Sequence, residues 1–516
     1  MTTQVQATIS GGRQYSTADK AVYGTIVTLL DDQANSCQSA ASAWGNAQLA
    51  IEYQRSRLSW CAAANGTGTL VVAGTSCAAV ADPTGAAAVT TTHTVLDYGT
   101  LVAQCGDAAA ALMAVADECE ALSSRVARAF SLYEAAEALS RRLVDEIVQF
   151  AAVHSPLATF GVAGLCALGG LAYSLATGDG VNWTHALNAT TWMQQGLLAG
   201  IGSLATGRSE WAGLLATGET NAGATWLAAG SSRVKNLLQG DELTVVEVEP
   251  ATPLVGSATG VADALADLRR LGTARLADGD DSGVDYGTIA ISRYVAADGT
   301  ASWLVTIPGT DGQWDSPFGW EQNLELMSDD ASVRTQADSY RMVVEAMRMA
   351  GIGADDSVVL VGHSQGGIVA AAIASDCGDE FTISHIVTAG SPIANHPVAD
   401  STWVTAIEME DELVAALDGD DNPSGETWLT VRGTLVDGST ATASGAPVMT
   451  DPDDYEITHW LEYHIAAYAD ATSLGSPALA VHEQHFAESI AGDYDGTTYY
   501  QGRMSHVESG TTTEEE

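Results

Sequence analysis

Lysine is nearly missing from this sequence. Lys20 and Lys235 are the only two in 516 residues, and all basic side chains together number 20 against 65 Asp and Glu, a formal net charge of −45. So acidic a chain repels phosphate backbones and anionic lipid headgroups, which argues against nucleic-acid binding and leaves only apolar routes to a membrane. The seven cysteines include no CxxC pair, so a zinc site has no support, and their odd number cannot close completely into disulfides. Five of the seven precede residue 120, where one or two bridges are conceivable in an exported protein and reduced core thiols in any other. The opening MTTQVQATISGGRQYSTADK has neither a basic n-region nor an apolar h-region, so no cleavable secretory signal is expected.

What is present falls into two textures. From Ser16 to Ala64, Val22, Ile26, Leu29 and Leu30 recur at helical spacing without a proline. From Val95 to Val153, Leu101, Cys105, Leu112, Val115 and Cys119 do the same. Residues 1–153 are therefore expected to form an all-α helical hairpin or slender bundle. Residues 154–240 follow as an apolar segment rich in small residues, in which 156–177 carry no charge and are long enough to cross a bilayer or to pack as an interfacial hairpin. The tripeptide Ala43-Trp44-Gly45 and the stretch Tyr133-Glu134-Ala135-Ala136-Glu137 loosely resemble the WxG and YxxxD/E signals of helical-hairpin proteins exported by actinobacterial type VII secretion. That resemblance implies a secretion-system partner for the N-terminal helices and a secreted or surface location; without it the protein is expected in the cytoplasm.

After residue 240 the pattern changes. LTVVEVEP, YGTIAISRYV, SWLVTIPGT, SVVLVGHS, ISHIVTAGS, TWVTAIEME and TWLTVRG read as strands. VADALADLRRLG, SVRTQADSYRMVVEAMRMAG and QGGIVAAAIASD between them read as helices. The alternation predicts an α/β domain over 241–490, a mostly parallel sheet with helices on both faces. Residues 491–516, ending GTTTEEE, read as a disordered acidic tail.

Within this domain Gly362-His363-Ser364-Gln365-Gly366 has the form GxSxG, between the apolar run 358–361 and an apolar helix. A serine held in a sharp strand-to-helix turn needs small neighbours two positions either side, so that strand and helix can approach. A nucleotide-binding turn would require GxGxxG or GxxxxGK[ST], and neither is present. Ser364 is thus the candidate nucleophile. It needs a base and a carboxylate, which in this fold follow it in the chain. The candidates are Asp411, just past the strand 404–407, with Glu410 and Asp418 in reserve, and His464 or His459.

With IPGT, GHSQGG, TAGSP and then a strand and an acid, residues 300–470 resemble the class 3 lipase branch of the α/β-hydrolases. The resemblance implies Ser364 as nucleophile, Asp411 as acid, His464 as base, and an oxyanion hole from Thr310 and the backbone N–H of Gln365. Ile307-Pro308 departs from that family's aromatic–Arg pair. His363 is expected to be structural, His482 and His485 to face solvent, and Trp314, Phe318 and Trp320 to belong to a loop that could cover an acyl pocket. The implied activity is ester hydrolysis through an acyl-enzyme, on an ester or lipid substrate, with no cofactor and no metal. A thioesterase or peptidase would use the same residues. An interaction protein on an inactive hydrolase scaffold is the alternative from another class.

Overall fold

The computed structural model describes residues 3–13, 17–64, 97–130, 224–225, 228, 235–236, 239–277, 282–311, 313–319, 321–410, 412, 422–436, 445–448 and 459–506. The export pattern 133–137, the uncharged run 156–177, Asp411, Asp418 and Trp320 all lie outside them. The chain divides into two compact units, Ala21–Ala127 and a larger one made of Met1–Lys20 with Arg128–Glu516. The expected helical unit 1–153 is corrected at its start, where Gln4–Gly11 form a strand paired within the α/β unit, while residues 131–153 lie outside the described residues.

The smaller unit is a helical hairpin of α1 (Thr17–Ala64) and α2 (Tyr98–Ala129). Ala34 and Cys37 of α1 meet Ala116 of α2, flanked by Leu112 and Cys119, so the contact is made by small side chains that let two helices come close. Gln38 Nε2 donates to Glu120 at 2.7 Å beside it. Trp44 and Gly45 sit inside α1, not at a turn, which removes the positional basis for reading them as a hairpin-turn signal. Cys37, Cys105, Cys119 and Cys377 are free thiols. Among the described residues α2 is the one helix long and apolar enough to cross a membrane, by length and composition alone.

The larger unit contains β1 (Gln4–Gly11), β2 (Glu242–Val248), α3 (Val261–Ala274), β3 (Thr288–Val295), β4 (Ala301–Ile307), α4 (Glu321–Leu326), α5 (Ala331–Arg334), α6 (Asp338–Ala350), β5 (Ser357–His363) and α7 (Gln365–Asp376). It continues with β6 (Thr382–Ala389), β7 (Trp403–Met409), β8 (Trp428–Val436), β9 (Ala446–Pro447), α8 (Leu461–Ser473), α9 (Pro477–Ser489) and β10 (Asp493–Ser505). Ten strands form one sheet in the order β2-β10-β3-β4-β5-β6-β7-β8-β1-β9. Strands β4 to β8 run parallel, and the flanking pairs are antiparallel. This is the expected α/β domain with a parallel core, preceded by a helical hairpin.

Strand periodicity explains why the centre is apolar on both faces. On β5, Val358 and Leu360 enter a core with Val343 and Met347 of α6 and Ile368 and Ile373 of α7. Val359 and Val361 point the other way, to Leu265 and Leu268 of α3, Tyr463 and Tyr468 of α8, and Phe486 of α9. One of the two lysines is also inside: Lys235 Nζ lies 2.9 Å from both Glu325 and Asp338, which matches a buried cation with two carboxylates.

The C-terminal residues 493–505 are a strand and not a tail. Strand β10 pairs with β2 on one side and β3 on the other, and Tyr499 and Tyr500 are each 3% exposed. The tyrosines and threonines of DYDGTTYYQGRMS suit a pleated surface, and the acidic run after them had dominated the composition. Removing residues 493–516 should leave two open sheet edges. The expected result is loss of the cooperative urea transition followed by circular dichroism; an unchanged midpoint would restore the tail reading.

Near the N-terminal half of β6, a ladder of polar side chains crosses the core. His485 Nδ1 and His385 Nδ1 lie 3.1 Å apart, His385 Nε2 lies 3.0 Å from Thr405 Oγ1, and Thr405 Oγ1 lies 3.2 Å from His482 Nδ1. His482 is buried, not turned to solvent, and His485 stacks on Trp403 with ring centroids 4.2 Å apart. No group of three His, Cys, Asp or Glu side chains among the described residues is disposed to hold a metal ion. Burial pushes His482, and likewise His396 after β6, down to about 4, and takes His385 well below its ordinary value. In the unfolded chain these rings take up protons from about pH 6.5. The unfolded state therefore binds more protons as pH falls, and stability declines from about pH 6.5 toward 4. The melting temperature should drop across that window, and less steeply in His482→Gln; identical slopes would refute the assignment.

Candidate active site

Strand β5 ends at His363, α7 begins at Gln365, and Ser364 between them has φ 52° and ψ −124°. It is the one non-glycine residue with positive φ among the described residues. Such a conformation costs of order 1–3 kcal/mol and persists only where its surroundings enforce it. Here they do. A Cβ on Gly362 would lie 2.3 Å from the Gly366 carbonyl carbon, one on Gly366 would lie 2.0 Å from Ile307 O, and one on Gly367 would lie 2.1 Å from Ser391 Oγ. Hydrogen bonds then hold the turn: Ser364 N–H donates to Ala389 O at 2.8 Å, and Ser391 Oγ donates to Ser364 O at 2.8 Å.

The Ser364 hydroxyl lies 2.9 Å from His459 Nε2. His459 Nδ1 in turn hydrogen-bonds Glu412 Oε1. Glu412 follows β7 by a tight turn, its own N–H donating to Met409 O at 3.2 Å. The other carboxylate oxygen, Oε2, accepts from the Met409 N–H at 3.2 Å and lies 2.8 Å from His464 Nε2. His464 Nδ1 lies 3.1 Å from Trp460 O. Glu412 and His464 are fully buried, while the His459 side chain is 22% exposed, at the open end of the series.

Of the expected site residues, the structure brings Ser364 to a histidine, but that histidine is His459. His464 cannot fill the role, because its two ring nitrogens are committed to Trp460 O and Glu412 Oε2. The difference comes from helix position. His464 is in the first turn of α8, where its side chain leans back toward the carbonyl four residues earlier. His459 precedes the helix and is free to reach the elbow. Asp411, the expected acid, lies outside the described residues, and the carboxylate that reaches the histidines belongs to its neighbour Glu412. Glu410 points elsewhere, accepting from Thr434 Oγ1 at 2.6 Å. Four acids within five positions, Glu408, Glu410, Asp411 and Glu412, gave the sequence no way to choose among them. Only the structure marks Glu412: Gly390 has φ +60°, and a Cβ there would lie 2.3 Å from Glu412 Oε1.

Burial alone would raise the Glu412 carboxyl, but the His464 charge and the His459 hydrogen bond outweigh it and hold the group far below the carboxylate range. Burial likewise opposes charge on His464, yet Glu412 overcomes it and raises the imidazole. His363 is pushed the other way, to about 3, by burial and by the neighbouring His459 and His464. It is neutral, and its Nε2–H donates to His459 O at 2.8 Å, fixing the His459 backbone from behind.

The expected oxyanion donors lie beside the serine. Gln365 is the first residue of α7, so its amide has no partner within the helix. The 308–311 loop passes so close that a Cβ on Gly309 would sit 3.0 Å from Ser364 Cβ, and Thr310 comes next in that loop. Buried Arg275 braces it: Nη2 donates to Gly309 O at 2.5 Å and Nη1 to Asp311 Oδ2 at 3.1 Å. Burial, partly offset by Asp311, brings this guanidinium down to about 10. Phe318 is packed in the core beneath Arg275 rather than over a pocket, whereas Trp314 is 75% exposed.

Comparison with known proteins bears on part of this site. Residues 322–424 match a family model described as the PGAP1-like alpha/beta domain. They hold the elbow and Glu412 but end before His459, so the histidine is placed by geometry alone. No curated protein and no solved structure matches the chain. The family model matched is not the class 3 lipase branch suggested by the motifs. Residues 322–424 are thus similar to a PGAP1-like alpha/beta domain of hydrolase type, and their strands belong to the parallel core of the mixed sheet.

Proposed function

We propose that this protein is a serine hydrolase of ester bonds, working through an acyl-enzyme with Ser364 as nucleophile, His459 as general base and Glu412 as the orienting carboxylate. The observation that carries the reading is the 2.9 Å approach of the Ser364 hydroxyl to His459 Nε2 on a strained elbow. His459 Nδ1 donates to Glu412, which leaves the Nε2 lone pair to receive the serine proton as Oγ attacks the acyl carbon. The Gln365 and Thr310 amides would stabilise the oxyanion, where the positive end of α7 also favours negative charge. His459 then returns the proton to the leaving alcohol, and water repeats the sequence to release the acid. The Tyr133–Glu137 pattern and the uncharged run 156–177 belong to the same proposal, since they would bring the hydrolase to a lipid or envelope ester.

Turnover of a series of p-nitrophenyl esters tests the assignment, with thioester and peptide substrates alongside to separate those chemistries. Ser364→Ala and His459→Ala should each lower kcat by roughly 10⁴- to 10⁶-fold where the residues act as a unit. Glu412→Gln should cost up to about 10⁴-fold by favouring the wrong imidazole tautomer, while Asp411→Asn should stay close to wild type. Gly390→Ala, which displaces the carboxylate, should cost about 10²-fold through misplacement alone. Wild-type protein inert toward all three substrate classes would support an inactive scaffold.

A further inference from the structure

His464 has no part in a three-residue triad, yet it is completely buried against the triad carboxylate. Its two hydrogen bonds determine what it carries. The Trp460 carbonyl can only accept, so Nδ1 at 3.1 Å must bear a proton. Nε2 faces Glu412 Oε2 at 2.8 Å. A neutral ring would direct a lone pair at the carboxylate there, so a proton must lie between the two atoms. Flipping the ring would put carbon atoms at both places and lose both bonds. Glu412 also receives the His459 ring and the Met409 N–H, and donors converging on both oxygens favour the ionised carboxylate. The proton therefore resides on the ring.

We propose that His464 is a fixed imidazolium that counter-charges Glu412 from the side opposite His459, and so is a positioning residue that sets how readily His459 serves as base. The proposal rests on the reading of Ser364, His459 and Glu412 as a triad. In an ordinary triad a lone carboxylate stabilises the imidazolium that forms on the base. Here the carboxylate is already matched by a cation, with the His459 and His464 ring centroids 6.5 Å apart. A proton arriving on His459 therefore meets a second positive charge across the same carboxylate, which offsets part of the stabilisation that Glu412 gives it.

Of the other ionisable groups around His464, Glu408 adds to the pull of Glu412 toward the charged ring, and none opposes it at hydrogen-bond distance. His363, at the end of β5 with its centroid 5.8 Å away, is neutral. Glu408 of β7 is engaged by Asn422 and by Arg432 of β8. On α8 itself, Glu462 pairs with Arg269 of α3, Asp470 with Arg128, and Tyr468 with Glu483 of α9. The Glu412 carboxylate is the one partner at hydrogen-bond distance from the His464 ring in that set.

The test is the pH dependence of kcat/KM for a p-nitrophenyl ester in wild type, His464→Gln and His464→Asn. Both variants remove the charge: Gln can keep a neutral donor where Nε2 meets Glu412, and Asn one where Nδ1 meets Trp460 O. The acid limb should move to higher pH by about one unit in each, the size expected when a nearby opposite charge is unmasked. An unmoved limb, or one that moves to lower pH, overturns the proposal. A second measurement needs no turnover: ¹⁵N–¹H correlation spectra of histidine-labelled wild type at about pH 8, well above the unperturbed imidazole pKa. One ring with both nitrogens protonated, hydrogen-bonded and lost in whichever variant folds, supports the assignment, and a neutral tautomer for His464 refutes it. If the wild-type spectrum shows that doubly protonated ring but the protein hydrolyses no ester, the triad reading fails while the charge on His464 stands.

Discussion

The left-handed backbone of Ser364 requires three neighbouring glycines, and the rest of the site is arranged around it. With φ at 52° the chain turns from β5 into α7 within one residue. This happens only because Gly362, Gly366 and Gly367 bring strand, helix and the 388–391 turn closer than any side chain permits. The strain is held by the parallel core. Val359 and Val361 on one face of β5, and Val358 and Leu360 on the other, bury the strand completely, so the turn cannot relax by shifting it. Ser391, from the end of β6, then fixes the serine carbonyl. A stiff sheet thus presents one hydroxyl at its C-terminal edge, where the helix N-terminus favours negative charge.

Charge within the site is organised by one carboxylate. Glu412 sits against His459, His464 and a backbone amide, and its burial is tolerable because each oxygen is satisfied. The neutral His363 holds the His459 carbonyl, and the Arg275–Asp311 pair braces the loop opposite. In a chain with net charge −45, the buried Lys235, Arg275, Arg128 and Arg334 among the described residues are each placed against a carboxylate, as is the His464 ring. Surface acidity and core electrostatics are therefore separate matters, and the former says little about the chemistry.

How far the sequence could be read depended on which physical signal each residue carried. The seven strands β2 to β8 and the elbow were legible, because apolar runs of strand length and a GxSxG turn have steric causes confined to a few neighbours. Strand β1, where Val5, Ala7 and Ile9 alternate into the core, is a short polar-looking segment far in sequence from its partner β8, and nothing local announces that pairing. Strand β10 was obscured by the acidic residues that follow it. The histidine and the carboxylate turn on single-residue offsets: His459 or His464 depends on where α8 starts, and Asp411 or Glu412 on the turn after β7. Such offsets are settled by tertiary geometry, which residue type and spacing do not encode.

The central claim is that Ser364 is activated by His459, and mass-spectrometric mapping of the adduct formed with a fluorophosphonate tests it most directly. Only a serine with its base in place reacts at a useful rate. The account predicts a single modified peptide carrying the adduct on Ser364 in wild type and in His464→Gln, and almost none in His459→Ala. Equal modification of wild type and His459→Ala, or an adduct on a different serine, would contradict it.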